Sequence, residues 1–65
     1  MNKMFEMCKN AWNEACSQGY ISENSSKEEI EENAYEILQF GFDDVDGLSD
    51  EEFDECVNML ISFLN

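Results

Sequence analysis

FDDVDGLSDEEF, residues 42–53, places six carboxylates in twelve positions. Three readings compete for it: a calcium loop, the start of a helix, and a surface shaped like a nucleic-acid backbone. A calcium loop of the EF-hand type needs oxygen ligands at its positions 1, 3 and 5, glycine at 6 and a bidentate glutamate at 12. With Gly47 at position 6, Asp44 and Asp46 fall at 3 and 5, but Phe42 falls at 1 and Phe53 at 12, where neither can bind a metal. With Glu52 at position 12, Gly47 moves to 7 and Gly41 takes position 1. Neither register supplies the ligands, and neither a metal nor any other cofactor is expected.

The helix start fits without adjustment. Ser49 is the cap, Glu52 is its reciprocal partner three residues on, and Leu48 with Phe53 forms a hydrophobic staple across the cap. Asp50 and Glu51 lie in the first turn, where the helix dipole favours negative charge by about 0.3–1 kcal/mol each. Beyond them Phe53, Cys56, Val57, Leu60, Ile61 and Leu64 form the strongest apolar face in the chain, widened by Met59 and Phe63. So broad a face suits a helix that touches all its neighbours, or one that also pairs with a second copy, and a homodimer through this helix is the open alternative.

Two more helices precede it. Ser26 and Glu29 repeat the capping-box pattern, and Ile30, Ala34, Ile37 and Leu38 form one stripe before Gly41 closes the segment. Nearer the start, Met4, Phe5, Cys8, Ala11, Trp12 and Ala15 follow helical spacing, and Gly19 sits where a helix end calls for a left-handed residue. No strand-like alternation competes anywhere, and there is no internal repeat. The spacing predicts an all-α, compact three-helix domain, with helices over about 3–18, 27–40 and 50–64. Residues 1–65 form a single domain whose half from 28 to 65 is acidic.

Composition narrows the function classes. The chain has no proline, arginine, histidine or threonine. The opening MNKMFEMCKN has no long apolar run, so neither a secretory signal nor a membrane span is expected. Cys8, Cys16 and Cys56 are odd in number and lack CxxC spacing, which suits a reduced, cytoplasmic chain with buried thiols. An enzyme is not expected: a helical chain this short offers little pocket to tune a carboxylate, and no histidine or arginine is present to polarise a substrate. Direct nucleic-acid binding is excluded more firmly, because three lysines stand against sixteen acids.

The charge is one-sided. Residues 1–27 balance Lys3, Lys9 and Lys27 against Glu6, Glu14 and Glu23, so the net charge of −13 lies wholly in residues 28–65. Glu28, Glu32 and Glu36 recur every fourth residue, a like-charge spacing that mildly destabilises a helix. Asp43, Asp44 and Asp46 follow, and Glu51, Asp54 and Glu55 lie opposite the core stripe of the last helix. At helical rise, residues 28–36 carry one charge per roughly 2.7 Å and residues 50–55 one per about 1.8 Å. Duplex DNA carries one per about 1.7 Å. A basic groove built for phosphates would meet a similar field. The expected partner-binding set is therefore Glu28, Glu29, Glu32, Glu36, Asp43, Asp44, Asp46, Glu51, Asp54 and Glu55.

The expected function is a nucleic-acid mimic that competitively occupies the DNA- or RNA-binding groove of a host nuclease or defence complex. Small, acidic, lysine-poor chains of this kind are typical of phage or mobile-element inhibitors of the anti-CRISPR or anti-restriction type. Of the acidic rows, that of the second helix is expected to be the straighter and to enter the groove. The alternative is a helical adaptor or regulatory subunit that binds through apolar anchors. Trp12 and Phe40 read mainly as core or helix-end packing; Tyr35, off the core stripe beside Glu28 and Glu32, and Phe42, at the rim of the acidic edge, are the exposed candidates.

The rejected calcium loop is directly testable. Calcium at millimolar concentration should raise thermal stability slightly by screening, and magnesium should match it at equal ionic strength. A saturable calcium site of micromolar affinity, lost in Asp44→Ala and Asp46→Ala, would reinstate the loop.

Overall fold

The capping residues set where the chain becomes helical, and the computed structural model, which describes residues 3–65, shows where those helices stop. Helix α1 spans Lys3–Ser17, α2 Lys27–Glu32, α3 Ala34–Gln39 and α4 Asp50–Ser62, with a 3₁₀ turn at Val45–Gly47 before α4. No strand occurs among the described residues. The all-α class holds, but the described residues form four α-helices where three were predicted.

The difference lies at Asn33. Its backbone, at φ −105° and ψ 10°, occupies the sparsely allowed bridge region between α2 and α3. The side-chain amide donates to the Glu29 carbonyl at 2.8 Å, and the Asn33 backbone N–H donates to the same oxygen at 3.1 Å. A short polar side chain that bonds its own backbone competes with the helical ladder, and here it ends α2. The Asn33 carbonyl then accepts from Ile37 at 2.9 Å and helix resumes.

Both predicted capping boxes are formed. Ser26 Oγ accepts from the Glu29 N–H at 3.1 Å, and Ser49 Oγ from the Glu52 N–H at 3.1 Å. The reciprocal bonds, from the Ser26 and Ser49 N–H groups to Glu29 and Glu52 Oε1, measure 3.4 and 2.9 Å. Gly19, at φ 76°, ends α1 as predicted. Its N–H bonds the Cys16 carbonyl at 3.0 Å while the Tyr20 N–H reaches the Ala15 carbonyl at 2.9 Å, the paired bonds of a Schellman ending.

Gly41 works differently. Its φ is not positive. A Cβ there would collide with the Met7 carbonyl and lie 2.8 Å from Ala11 Cβ, so the absent side chain lets the end of α3 settle against α1.

The core is drawn from every element. Cys8, Trp12 and Ala15 from α1 meet Ile30 of α2, Ala34, Ile37 and Leu38 of α3, Val45 of the turn, and Cys56 and Leu60 of α4. No polar or charged residue is buried among the described residues. Phe53, Val57, Met59, Ile61, Phe63 and Leu64 are half-buried around it, and α4 packs against α1, α2 and α3. The last backbone N–H, at Asn65, donates to the Glu23 carbonyl at 2.9 Å and ties the end of the described chain to the α1–α2 connection.

Three substitutions test this framework by chemical denaturation. Ser49→Ala should lower stability by about 0.5–2 kcal/mol through loss of the α4 cap. Leu60→Ala should cost about 2–5 kcal/mol, and Gly41→Ala about 1–3 kcal/mol by forcing α3 off α1. An undiminished Leu60→Ala variant would contradict the core assignment.

Candidate acidic interface

All thirteen acids of residues 28–65 are exposed, distributed over α2, α3, the 42–49 connection and the first half of α4. On α2, Glu28, Glu31 and Glu32 share helical neighbour spacing. On α4, Glu51, Asp54 and Glu55 do the same, with Asp50 one turn before Asp54. The two helices pack against each other, so their charged rows belong to adjoining parts of one body. Lysine is scarce on this half: Lys27 opens α2, whereas Lys3 and Lys9 are on α1.

The break at Asn33 corrects one expectation about this surface. Glu36 stands on α3, across the interruption from Glu28 and Glu32, so the uninterrupted second-helix row of three does not form. The Glu51, Asp54 and Glu55 set lies within one unbroken helix.

Several of the acids have a backbone task. Glu29 and Glu52 complete the capping boxes. Asp44 Oδ1 accepts from the Gly47 N–H at 3.1 Å and caps the 3₁₀ turn. A Cβ on Gly47 would lie 2.5 Å from Asp44 Oδ2, so glycine is what allows the carboxylate to fold over that turn. The FDDVDGLSDEEF stretch is thus a capped turn running into a capped helix. Among the described residues no group of three or more Asp, Glu, Cys or His side chains is arranged to hold a metal ion.

Two aromatic assignments also change. Phe42 is 8% exposed and belongs to the core, with its N–H on the Leu38 carbonyl at 2.8 Å, so it is no rim contact. The turn that follows α3 directs this ring inward beside Val45 and Leu38. Tyr35 is exposed as expected, but its hydroxyl neighbours Asp46, not the α2 glutamates. Hydrogen bonding to the Asp46 carboxylate raises its pKa, with a smaller contribution from the Asp44 charge, while Gln39 acts in the opposite sense. Trp12 is buried, as its spacing suggested, whereas Phe40 is exposed and meets Tyr20 edge to face at 5.9 Å. The placement of Tyr20 and Phe40 follows from how α1 and α3 end, which periodicity within a single helix does not register.

The buried thiols offer no chemistry to this surface. Cys8 and Cys56 are fully buried, and Cys16 is half-buried. Burial pushes the Cys8 thiol up to about 12, reinforced by its hydrogen bond to Cys56 and by the charge that Cys56 would carry. Burial also raises Cys56, reinforced by Glu55 and Glu52 and opposed by the bond to Cys8. A thiol with so raised a pKa is a poor nucleophile. No helix among the described residues is long and apolar enough to cross a membrane.

Comparison with protein-family models, with curated proteins and with solved structures found no match.

The raised Cys8 pKa has a stability signature. From its ordinary value of 9.0 up to about 12, the folded chain retains a proton that the unfolded chain has released. The Cys8 contribution to stability is therefore complete below pH 9.0 and is lost as pH rises towards about 12. Denaturation curves across that range should fall more steeply for the native sequence than for Cys8→Ala; equal slopes would contradict the assignment.

Proposed function

We propose that this protein is an acidic mimic of a nucleic-acid backbone that occupies the DNA- or RNA-binding groove of a host enzyme. The observation that carries the proposal is the exposure of all thirteen carboxylates on a half of the chain that contains no base. Folding accounts for some of them, through the caps of Glu29, Asp44 and Glu52 and the dipoles at the first turns of α2, α3 and α4. The rest repel one another and destabilise a small fold. Their presence makes physical sense opposite lysines and arginines that otherwise hold phosphates. A nuclease of the CRISPR or restriction type, met in the host cytoplasm by a phage or mobile-element product, is the partner class proposed.

The α4 set of Glu51, Asp54 and Glu55 is taken as the leading contact, since it lies within one unbroken helix of 13 residues. Glu28, Glu31 and Glu32 of α2 supply the adjoining contact. A second reading has its own support: Tyr20, Tyr35 and Phe40 are 47%, 39% and 39% exposed, enough for an adaptor that binds through aromatic anchors.

Competition separates the two readings. The purified protein should displace labelled DNA or RNA from a CRISPR-type or restriction nuclease at a single site. Replacing Glu51, Asp54 and Glu55 together with lysine should abolish the displacement, and the same change at Glu28, Glu32 and Glu36 should weaken it less. Raising salt from about 50 to about 200 mM should lower affinity by roughly an order of magnitude or more, as several ion pairs are screened. Inhibition that survives both triple variants but is lost in Tyr35→Ala or Phe40→Ala would establish the aromatic reading instead.

A further inference from the structure

The fold carries two aromatic groups at helix ends, and they differ in one respect. Beside the C-terminal end of α4, the Phe63 ring lies 5.6 Å from Phe5 and 5.7 Å from Trp12. The Lys9 ammonium stands 4.5 Å from the centroid of that Phe63 ring. The chain thus covers this group with a cation of its own, at a helix end where a positive charge is also favoured by the dipole.

Where α1 and α3 end, Tyr20 and Phe40 form the second group, centroids 5.9 Å apart and planes at 72°. Both rings lie open to solvent, at 47% and 39% exposure. Neither α1 nor α3 has a base in its last turn. The last turn of α1 holds an acid instead: Glu14 lies there, with its carboxylate accepting from Gln18 at 2.9 Å. The remaining lysines sit at helix starts, Lys3 on α1 and Lys27 on α2, while Lys9 is engaged with Phe63. This second group therefore has the negative ring faces and the negative helix end of the first, but neither last turn contributes a base of its own.

We propose that the Tyr20–Phe40 pair is the seat of an arginine side chain from the protein's partner, which rests on the reading above only in taking that partner to be basic. Charge complementarity selects this occupant. A second copy would bring another thirteen net negative charges to the contact, whereas a basic protein is drawn to it from a distance. Arginine is preferred to lysine because its planar, weakly hydrated guanidinium stacks on a ring face. The seat adds to the acidic rows a contact that salt weakens little, since the ring partly desolvates the cation it holds.

A short peptide of alternating arginine and alanine is the probe, with a lysine peptide of the same charge as its control. Aromatic NMR signals of Tyr20 and Phe40 should shift on titration with the arginine peptide, and less with the lysine peptide. Phe40→Leu and Tyr20→Leu keep apolar bulk and remove the ring; each should weaken arginine-peptide binding by roughly two- to fivefold. Circular dichroism checks that each variant is folded, and either one alone suffices for the test. Shifts confined to residues 28–36 and 50–55, or unchanged affinity in a folded leucine variant, would overturn the arginine seat and leave the acidic rows to the competition experiment. Absence of any binding to the native protein would overturn it as well. Ring shifts with ring-dependent affinity, in a protein that fails to displace nucleic acid, would uphold the seat and reject the mimic.

Discussion

Thirteen like charges beyond those that lysines balance must be carried on a body of 27 × 21 × 19 Å. At physiological salt a charge is felt over about 8 Å, so neighbouring carboxylates on such a surface cannot ignore one another. The interior answers this by containing no charge and no polar side chain among the described residues. Desolvating even one carboxylate without a partner would cost several kcal/mol, a large part of what so small a domain can hold in reserve. Every helix therefore turns its aliphatic stripe inward and leaves its acids in water. Placing Cys56 and Leu60 of α4 at the centre lets one helix seal the other three.

The acids divide by what they do for the fold. Those at helix starts serve unsatisfied N–H groups, and their placement is set within a few residues of chain. Glu29, Asp44 and Glu52 are of this kind. Glu31, Glu32, Asp54 and Glu55 lie beyond the first turns, have no such task and give the surface its excess field. Neutralising the second group would relieve the fold, whereas removing the first would loosen it, so structure and binding draw on different members of one composition.

What could be read from the sequence follows the same division. Ser26, Ser49 and Gly19 were legible because a cap or a left-handed ending is decided by neighbours in the chain. Leu60, Ile37 and Trp12 were legible because helical periodicity places them on one face. Asn33 was not: its helix-compatible neighbours hide a side chain that bonds backward to Glu29, and one such bond splits the segment. Gly41 was read as a helix stop for conformational reasons, when the actual demand comes from α1 across the seam. Phe42 and Tyr35 depended on where the 3₁₀ turn lies over α3, a fact of packing and not of spacing. The candidate site was legible in its residues and less so in its layout.

The contact between α1 and α4 bears on how the protein is made. Trp12 and Phe5 pack on Phe63, and Cys8 on Cys56, so during synthesis α1 must wait for α4 to complete its packing. At ordinary rates of synthesis that wait is roughly 3–10 s. During it the apolar stripe of α1 has no α4 to cover it.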